Sequence, residues 1–190
     1  MNMKHRYCIW LFVLALCAAF GRARGDDYRA NTVYIKSSPC GRYYAKAFPD
    51  ELYGSKGVTK IYAVSKEEDR LIETYPWYSS QIDLQSLGEH ISVVRIGRCL
   101  MGQEMSENDL AIGLYLDGKT LKEYSTLDVA AAINDSGAQS GYRSKFCWSL
   151  NTRGYRWIGS SDHVFDVEGG GKTLSFDVKT GALLKDPKTK

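Results

Sequence analysis

The chain has 190 residues, of which 44% are hydrophobic, and its 25 Lys and Arg residues nearly balance its 22 Asp and Glu residues. Four of the basic residues and none of the acidic ones lie in the first 25 positions, so a chain cut after them would carry a net charge of −1. This balance removes the main physical support for nucleic-acid binding, so we expect no nucleic-acid partner, and the length is that of one domain with its own core.

The first 25 residues have the order of a secretory signal peptide. Lys4 and Arg6 precede an apolar run over residues 8–20, and small residues follow it. The run is shorter than the roughly 20 residues that cross a bilayer, so we expect export to the periplasm or the exterior, with no stable membrane span after cleavage. An alternative is lipidation at Cys17. The candidate cleavage positions follow Gly21, Ala23 and Gly25, of which we favour the last.

Residues 26–185 are predicted to form a single β-rich domain, with a polar tail over 186–190. Asp117-Gly118 between two apolar runs predicts a two-residue hairpin turn of type I′. One short helix is expected near 125–134, capped by Ser125 and favoured by Asp128 in its first turn. The fold class is therefore mostly β, an antiparallel meander forming a sandwich or a strongly bent sheet. The predicted strands cover 32–36, 42–48, 60–65, 70–74, 91–97, 110–116, 119–124, 163–167, 172–178 and 182–184.

Two turn motifs resemble those of propeller-like repeats: Ser-Pro-x-Gly over residues 38–41 and Phe-Asp-x-x-Thr-Gly over residues 176–181. The order of the elements between them is similar to that of small exported bacterial β-rich proteins of unassigned function. That resemblance implies export and supplies no active-site residues. A closed propeller is not expected, because about ten strands at four per blade give fewer than three blades.

Three cysteines follow the leader: Cys40, Cys99 and Cys147. In an oxidising compartment they allow at most one internal disulfide. We expect Cys99 to pair with Cys147, because both follow strand patterns whereas Cys40 lies in a turn. The alternative is that all three remain unpaired.

No catalytic, metal or cofactor signature is complete. Gly171-Lys172 resembles the end of a phosphate-binding loop, but Asp166 stands where the earlier glycine should be and a strand follows instead of a helix. His90 and His163 each follow a carboxylate in sequence, and either could serve a small exported hydrolase. Neither lies in a metal-ligand spacing, so we expect no cofactor and no metal.

The segment Tyr75-Pro76-Trp77-Tyr78 is the strongest candidate binding site. We expect at least one of its rings to face solvent, where aromatic faces stack on sugars or anchor peptides. The favoured hypothesis is therefore an exported, non-catalytic domain that binds a protein, peptide or glycan partner through Tyr75, Trp77 and Tyr78. The alternatives are the hydrolase and a structural accessory subunit of an envelope complex, which would dock through a sheet edge or an apolar patch.

Overall fold

The computed structural model describes residues 30–98, 105–135, 150–158, 162–169 and 171–184, and these form three four-stranded antiparallel sheets and one helix. The first sheet contains β1 (Tyr34–Ser37), β2 (Tyr43–Pro49), β3 (Gly57–Ala63) and β4 (Arg70–Tyr75). The second contains β5 (Ile82–Leu87), β6 (His90–Ile96), β7 (Leu110–Leu116) and β8 (Lys119–Ser125). Helix α1 (Thr126–Asp135) follows, and the third sheet contains β9 (Asn151–Ile158), β10 (Asp162–Gly169), β11 (Lys172–Asp177) and β12 (Leu183–Leu184).

The local signals at the β7–β8 turn and at α1 are confirmed. Asp117 and Gly118 have φ angles of 47° and 76°, which is the left-handed pair that a type I′ turn requires. At the start of α1, Asp128 N donates to Ser125 Oγ over 3.1 Å, while Ser125 N donates to Asp128 Oδ2 over 2.8 Å. This reciprocal cap fixes the first turn of the helix.

The second sheet lies between the other two, and its central strands β6 and β7 are buried on both faces. Along β6, Ile91 and Val93 face the first sheet, whereas Val94 and Ile96 face the third sheet and α1. Because successive strand residues point to opposite faces, a strand covered on both sides is a continuous apolar run. β7 (Leu110–Leu116) has that composition, whereas the run of β6 is interrupted by the buried Ser92 and Arg95.

The first strands of the three sheets converge on Asp83 of β5. Lys36 Nζ of β1 lies 2.9 Å from Asp83 Oδ1. Tyr155 of β9 directs its hydroxyl to the same region, where it donates to Ser92 O over 3.2 Å and lies 3.5 Å from Asp83 O. Burial raises the pKa of Tyr155, so its hydroxyl stays protonated and remains a donor. One short region of polar contacts therefore fixes all three sheets relative to each other.

The predicted fold class, mostly β and antiparallel with one short helix, is confirmed. The structure adds that the strands divide among three stacked sheets, and that β5 and β9 lie where no strand was predicted. The signal segment over 1–25, the tail over 186–190, Cys99 and Cys147 lie outside the described residues. The Cys99–Cys147 disulfide therefore stays a prediction.

Candidate functional site

The aromatic segment is part of the core. Tyr75, Trp77 and Tyr78 are only 4%, 7% and 2% exposed, so the expectation that one of these rings faces solvent is wrong. The chain leaves β4 at Tyr75 and passes between the first two sheets without strand geometry, so the alternation of side chains does not apply to Trp77 and Tyr78. Both can point inward, and no free ring face is left in this segment to stack on a ligand.

Three of the buried rings form a compact triangle between the first and second sheets. The centroids of Tyr75, Trp77 and Tyr115 are 5.0 to 5.3 Å apart. The Arg95 guanidinium lies 4.8 Å from the Trp77 ring centroid, a cation–π contact at the border of this core. Aromatic contacts of this kind add to the free energy of area burial, so the segment stabilises the interface between the two sheets.

A polar row completes this border. Arg95, Gly113 and Glu123 are register partners on β6, β7 and β8. The Tyr115 side chain folds back over Gly113, where an added Cβ would lie 2.7 Å from the Tyr115 hydroxyl, and that hydroxyl donates to Glu123. Burial, together with Glu123, raises the pKa of Tyr115, which therefore remains a neutral hydrogen-bond donor. Arg95 Nη1 lies 4.0 Å from Glu123 Oε1, so the positive and the negative charge of this row form an ion pair with each other.

The histidines lie on different sheets, His90 at the start of β6 and His163 on β10. His90 Nδ1 lies 2.5 Å from Asp117 Oδ2 across the β6–β7 ladder, and Asp117 Oδ1 accepts from Ile91 N over 2.9 Å. The His90 side chain is 64% exposed. Among the described residues, no serine, threonine or cysteine is hydrogen-bonded to His90. The pair therefore supplies the acid that the hydrolase hypothesis needs but no nucleophile for a base to activate.

Sequence analysis missed Asp117 as the partner of His90. The neighbouring acid in sequence, Glu89, is the one it considered, but the carboxylate that reaches the ring comes from the hairpin turn 27 positions later. The β7–β8 hairpin was itself predicted, and its turn lies beside the start of a strand that pairs with β7. That position is the signal in the sequence that could have identified Asp117 as the partner of His90.

Cys40 lies in the exposed turn between β1 and β2, as its sequence predicts. Its Sγ lies 3.3 Å from Ser38 Oγ, and this hydrogen bond, with smaller contributions from Arg42, lowers the pKa of the thiol to about 7.

Within the described part of the chain, no group of three or more His, Cys, Asp or Glu side chains could hold a metal ion. In the same ranges, no helix is both long and apolar enough to cross a membrane.

One sheet face of the described chain stays largely open, the side of the first sheet that points away from the second. Ala45, Ala47 and Ile61 fill the inner side, and the residues between them point outward. Ile35 is 58% exposed and Leu71 47% exposed. We call this surface the outer face of the first sheet, and its members are Ile35, Tyr44, Lys46, Lys60, Tyr62 and Leu71.

The outer face of the first sheet has a regular arrangement. Ile35, Lys46 and Lys60 form one cross-strand row, and Tyr44, Tyr62 and Leu71 form the next. The rings of Tyr44 and Tyr62 stack at 5.0 Å with an interplanar angle of 12°. This surface presents aliphatic, aromatic and cationic groups side by side.

The corresponding side of the third sheet is different. Asp166 is 6% exposed and its carboxylate accepts from Arg156 Nε over 2.6 Å and from Ser175 Oγ over 2.6 Å. Val164, on the same side, is 1% exposed. Among the described residues, Val164 and Asp166 at the centre of this side are therefore buried, whereas Ile35 and Leu71 on the outer face of the first sheet are exposed.

No family model matches the chain, and no similarity to a curated protein or to a solved structure was found. The resemblance to exported bacterial β-rich proteins therefore stays a prediction.

Replacement of Trp77 by alanine should lower the free energy of unfolding by about 3–5 kcal/mol, because it removes a fully packed aromatic side chain from between two sheets. Leu71→Ala on the outer face is the control and should change stability by less than about 0.5 kcal/mol. Chemical denaturation of both variants measures the difference. A Trp77→Ala protein as stable as Leu71→Ala would contradict the buried placement.

The Asp117→Asn variant tests the contact with His90, since asparagine also suits the turn conformation. Partial burial by itself raises the pKa of Asp117, but the Ile91 amide and His90 outweigh it, so the pKa lies below its usual value. Stability from this contact should be complete above the ordinary Asp pKa of about 4 and lost as the pH falls through the lower folded-state value.

The melting temperature of wild type should therefore exceed that of Asp117→Asn near pH 6, and the gap should close below about pH 4. Thermal unfolding at several pH values measures it. A gap of equal size at pH 6 and pH 3 would show that the carboxylate charge contributes nothing.

Proposed function

We propose that the chain is an exported, non-catalytic domain that binds a protein or peptide partner through the outer face of the first sheet. The observation that carries this proposal is the exposure of Ile35 and Leu71 on the same face as the stacked Tyr44 and Tyr62 rings, on a sheet whose opposite side packs against the second sheet. Clustered apolar side chains on one rigid face are typical of interaction surfaces.

Further exposed aliphatic side chains lie around this face. Val64 follows β3 in the same alternation as Tyr62 and is 53% exposed, and Val33 lies two residues before Ile35 and is equally exposed. Four of the seven large hydrophobic residues exposed in the described chain therefore belong to one side of one sheet or its margin: Val33, Ile35, Val64 and Leu71. A scattered distribution would need no explanation, but this clustering favours a binding role.

A protein partner fits the face better than a glycan does. Sugars stack on free aromatic ring faces, and their hydroxyls donate hydrogen bonds to nearby carboxylates and exchange them with amides. Here Tyr44 and Tyr62 stack on each other, and the strand positions of the face carry no acid or amide. Aliphatic side chains such as Ile35 and Leu71 instead match the apolar centre of a protein interface.

The part of this proposal that concerns export rests on the sequence. The order of charged, apolar and small residues over 1–25 is that of an export signal. An accessory subunit of an envelope complex would use the same face, since a subunit also docks through an apolar patch. The two hypotheses differ in whether the partner is bound permanently.

Selection from a displayed library of random peptides tests the binding role. Peptides selected on the wild-type domain should lose at least about tenfold in affinity for Leu71→Arg, equivalent to about 1.4 kcal/mol. The substitution places a charge in the cross-strand row of Tyr44, Tyr62 and Leu71. Leu127→Arg on α1 is the matched control, since Leu127 is 40% exposed and lies on another element. It should leave the affinity within about twofold, the range expected of a surface substitution that touches no binding contact. Failure to obtain any peptide that distinguishes Leu71→Arg from Leu127→Arg would overturn the proposal.

A further inference from the structure

The outer face of the first sheet holds two positive charges directly opposite each other. Lys46 of β2 and Lys60 of β3 are register partners in the two central strands, and both point outward. Directly opposed residues have Cβ atoms about 4.5–5.5 Å apart, and like charges at such positions are destabilising. The sequence thus keeps a repulsive pair at the centre of its most open face.

No carboxylate of the described chain neutralises this pair. The cations that do pair use other surfaces: Lys36 binds Asp83 on the inner side, and Arg156 binds Asp166 on the third sheet. The Lys46 ammonium lies 5.1 Å from the Phe48 ring centroid. Asp69, in the loop between β3 and β4, accepts from the Tyr44 hydroxyl and from Ser65 N. A bound partner could supply the missing negative charge.

Resting on the proposed function, we propose that the partner is an acidic segment of a protein, with carboxylates that meet Lys46 and Lys60 and aliphatic side chains that cover Ile35 and Leu71. Complementary charge steers association and fixes register, whereas the apolar contacts supply affinity. A nucleic acid or an acidic polysaccharide would satisfy the two ammonium groups but would leave the Ile35 and Leu71 side chains in water. These two aliphatic side chains therefore favour a protein segment over a polyanion.

The experiment combines a charge reversal with a stability measurement. Lys60→Glu converts the repulsive cross-strand pair into an attractive one, so this variant should melt above wild type. The same substitution should weaken, by at least tenfold, the binding of peptides selected on wild type. Lys119→Glu, at an exposed lysine of the β7–β8 hairpin, is the matched control and should leave binding unchanged. A gain in stability with a loss of binding separates this result from simple unfolding.

The selected peptides provide the second readout. They should be enriched in Asp and Glu flanked by aliphatic residues, and their affinity should fall steeply as the salt concentration rises. If the selected peptides depend on Leu71 but are not enriched in Asp and Glu, and bind Lys60→Glu as well as wild type, the acidic partner is overturned while the binding role stays intact. Absence of any Leu71-dependent peptide would instead remove the binding role itself. If alginate or oligo(dT) binds through Lys60, and Leu71→Arg does not change that binding, the protein partner is overturned in favour of a polyanion.

Discussion

The central strands of the second sheet, β6 and β7, are buried on both faces, and the positions of the other two sheets and of α1 follow from that constraint. Their side chains are buried at successive positions, so each face needs its own cover. The first sheet covers one side with small residues such as Ala45 and Ala47, which allow close approach. The third sheet and α1 cover the other, with Phe165 and Phe176 at its centre. Asp83, in contact with both Lys36 and the Tyr155 hydroxyl, fixes the three layers at one end.

This layering explains why the most aromatic part of the sequence is buried in the core. The connection from the first to the second sheet passes through their interface, and its large side chains fill the space that the small alanines leave. Trp77 and Tyr78 are therefore used for packing. The outer face of the first sheet is left with Ile35 and Leu71 exposed and with Lys46 and Lys60 unneutralised, so chemistry suited to recognition lies on the opposite side of the same sheet.

The sequence predicts those elements whose signals are local. The Asp117-Gly118 turn depends on two residues that tolerate positive φ, and the cap of α1 on a serine and an acid three positions apart. The burial of Trp77 could not be predicted in this way, because it depends on which sheet covers the segment. The outer face was partly visible in the sequence, since Tyr44 and Lys46 alternate with Ala45 and Ala47, and small residues on one side of a strand indicate close packing there. Which side would remain open depends on the order of the sheets.

Val93 and Val94 test the layered arrangement most directly, because these consecutive residues of β6 point to opposite faces and are both fully buried. An aspartate at either position would place an unpaired charge between two sheets, which a protein of this size cannot tolerate. Thermal unfolding of Val93→Asp and Val94→Asp should show that neither variant folds at 25 °C, while Leu71→Asp melts near wild type. Either valine variant retaining the wild-type melting temperature would show that one face of the second sheet is open to water and would contradict the three-layer account.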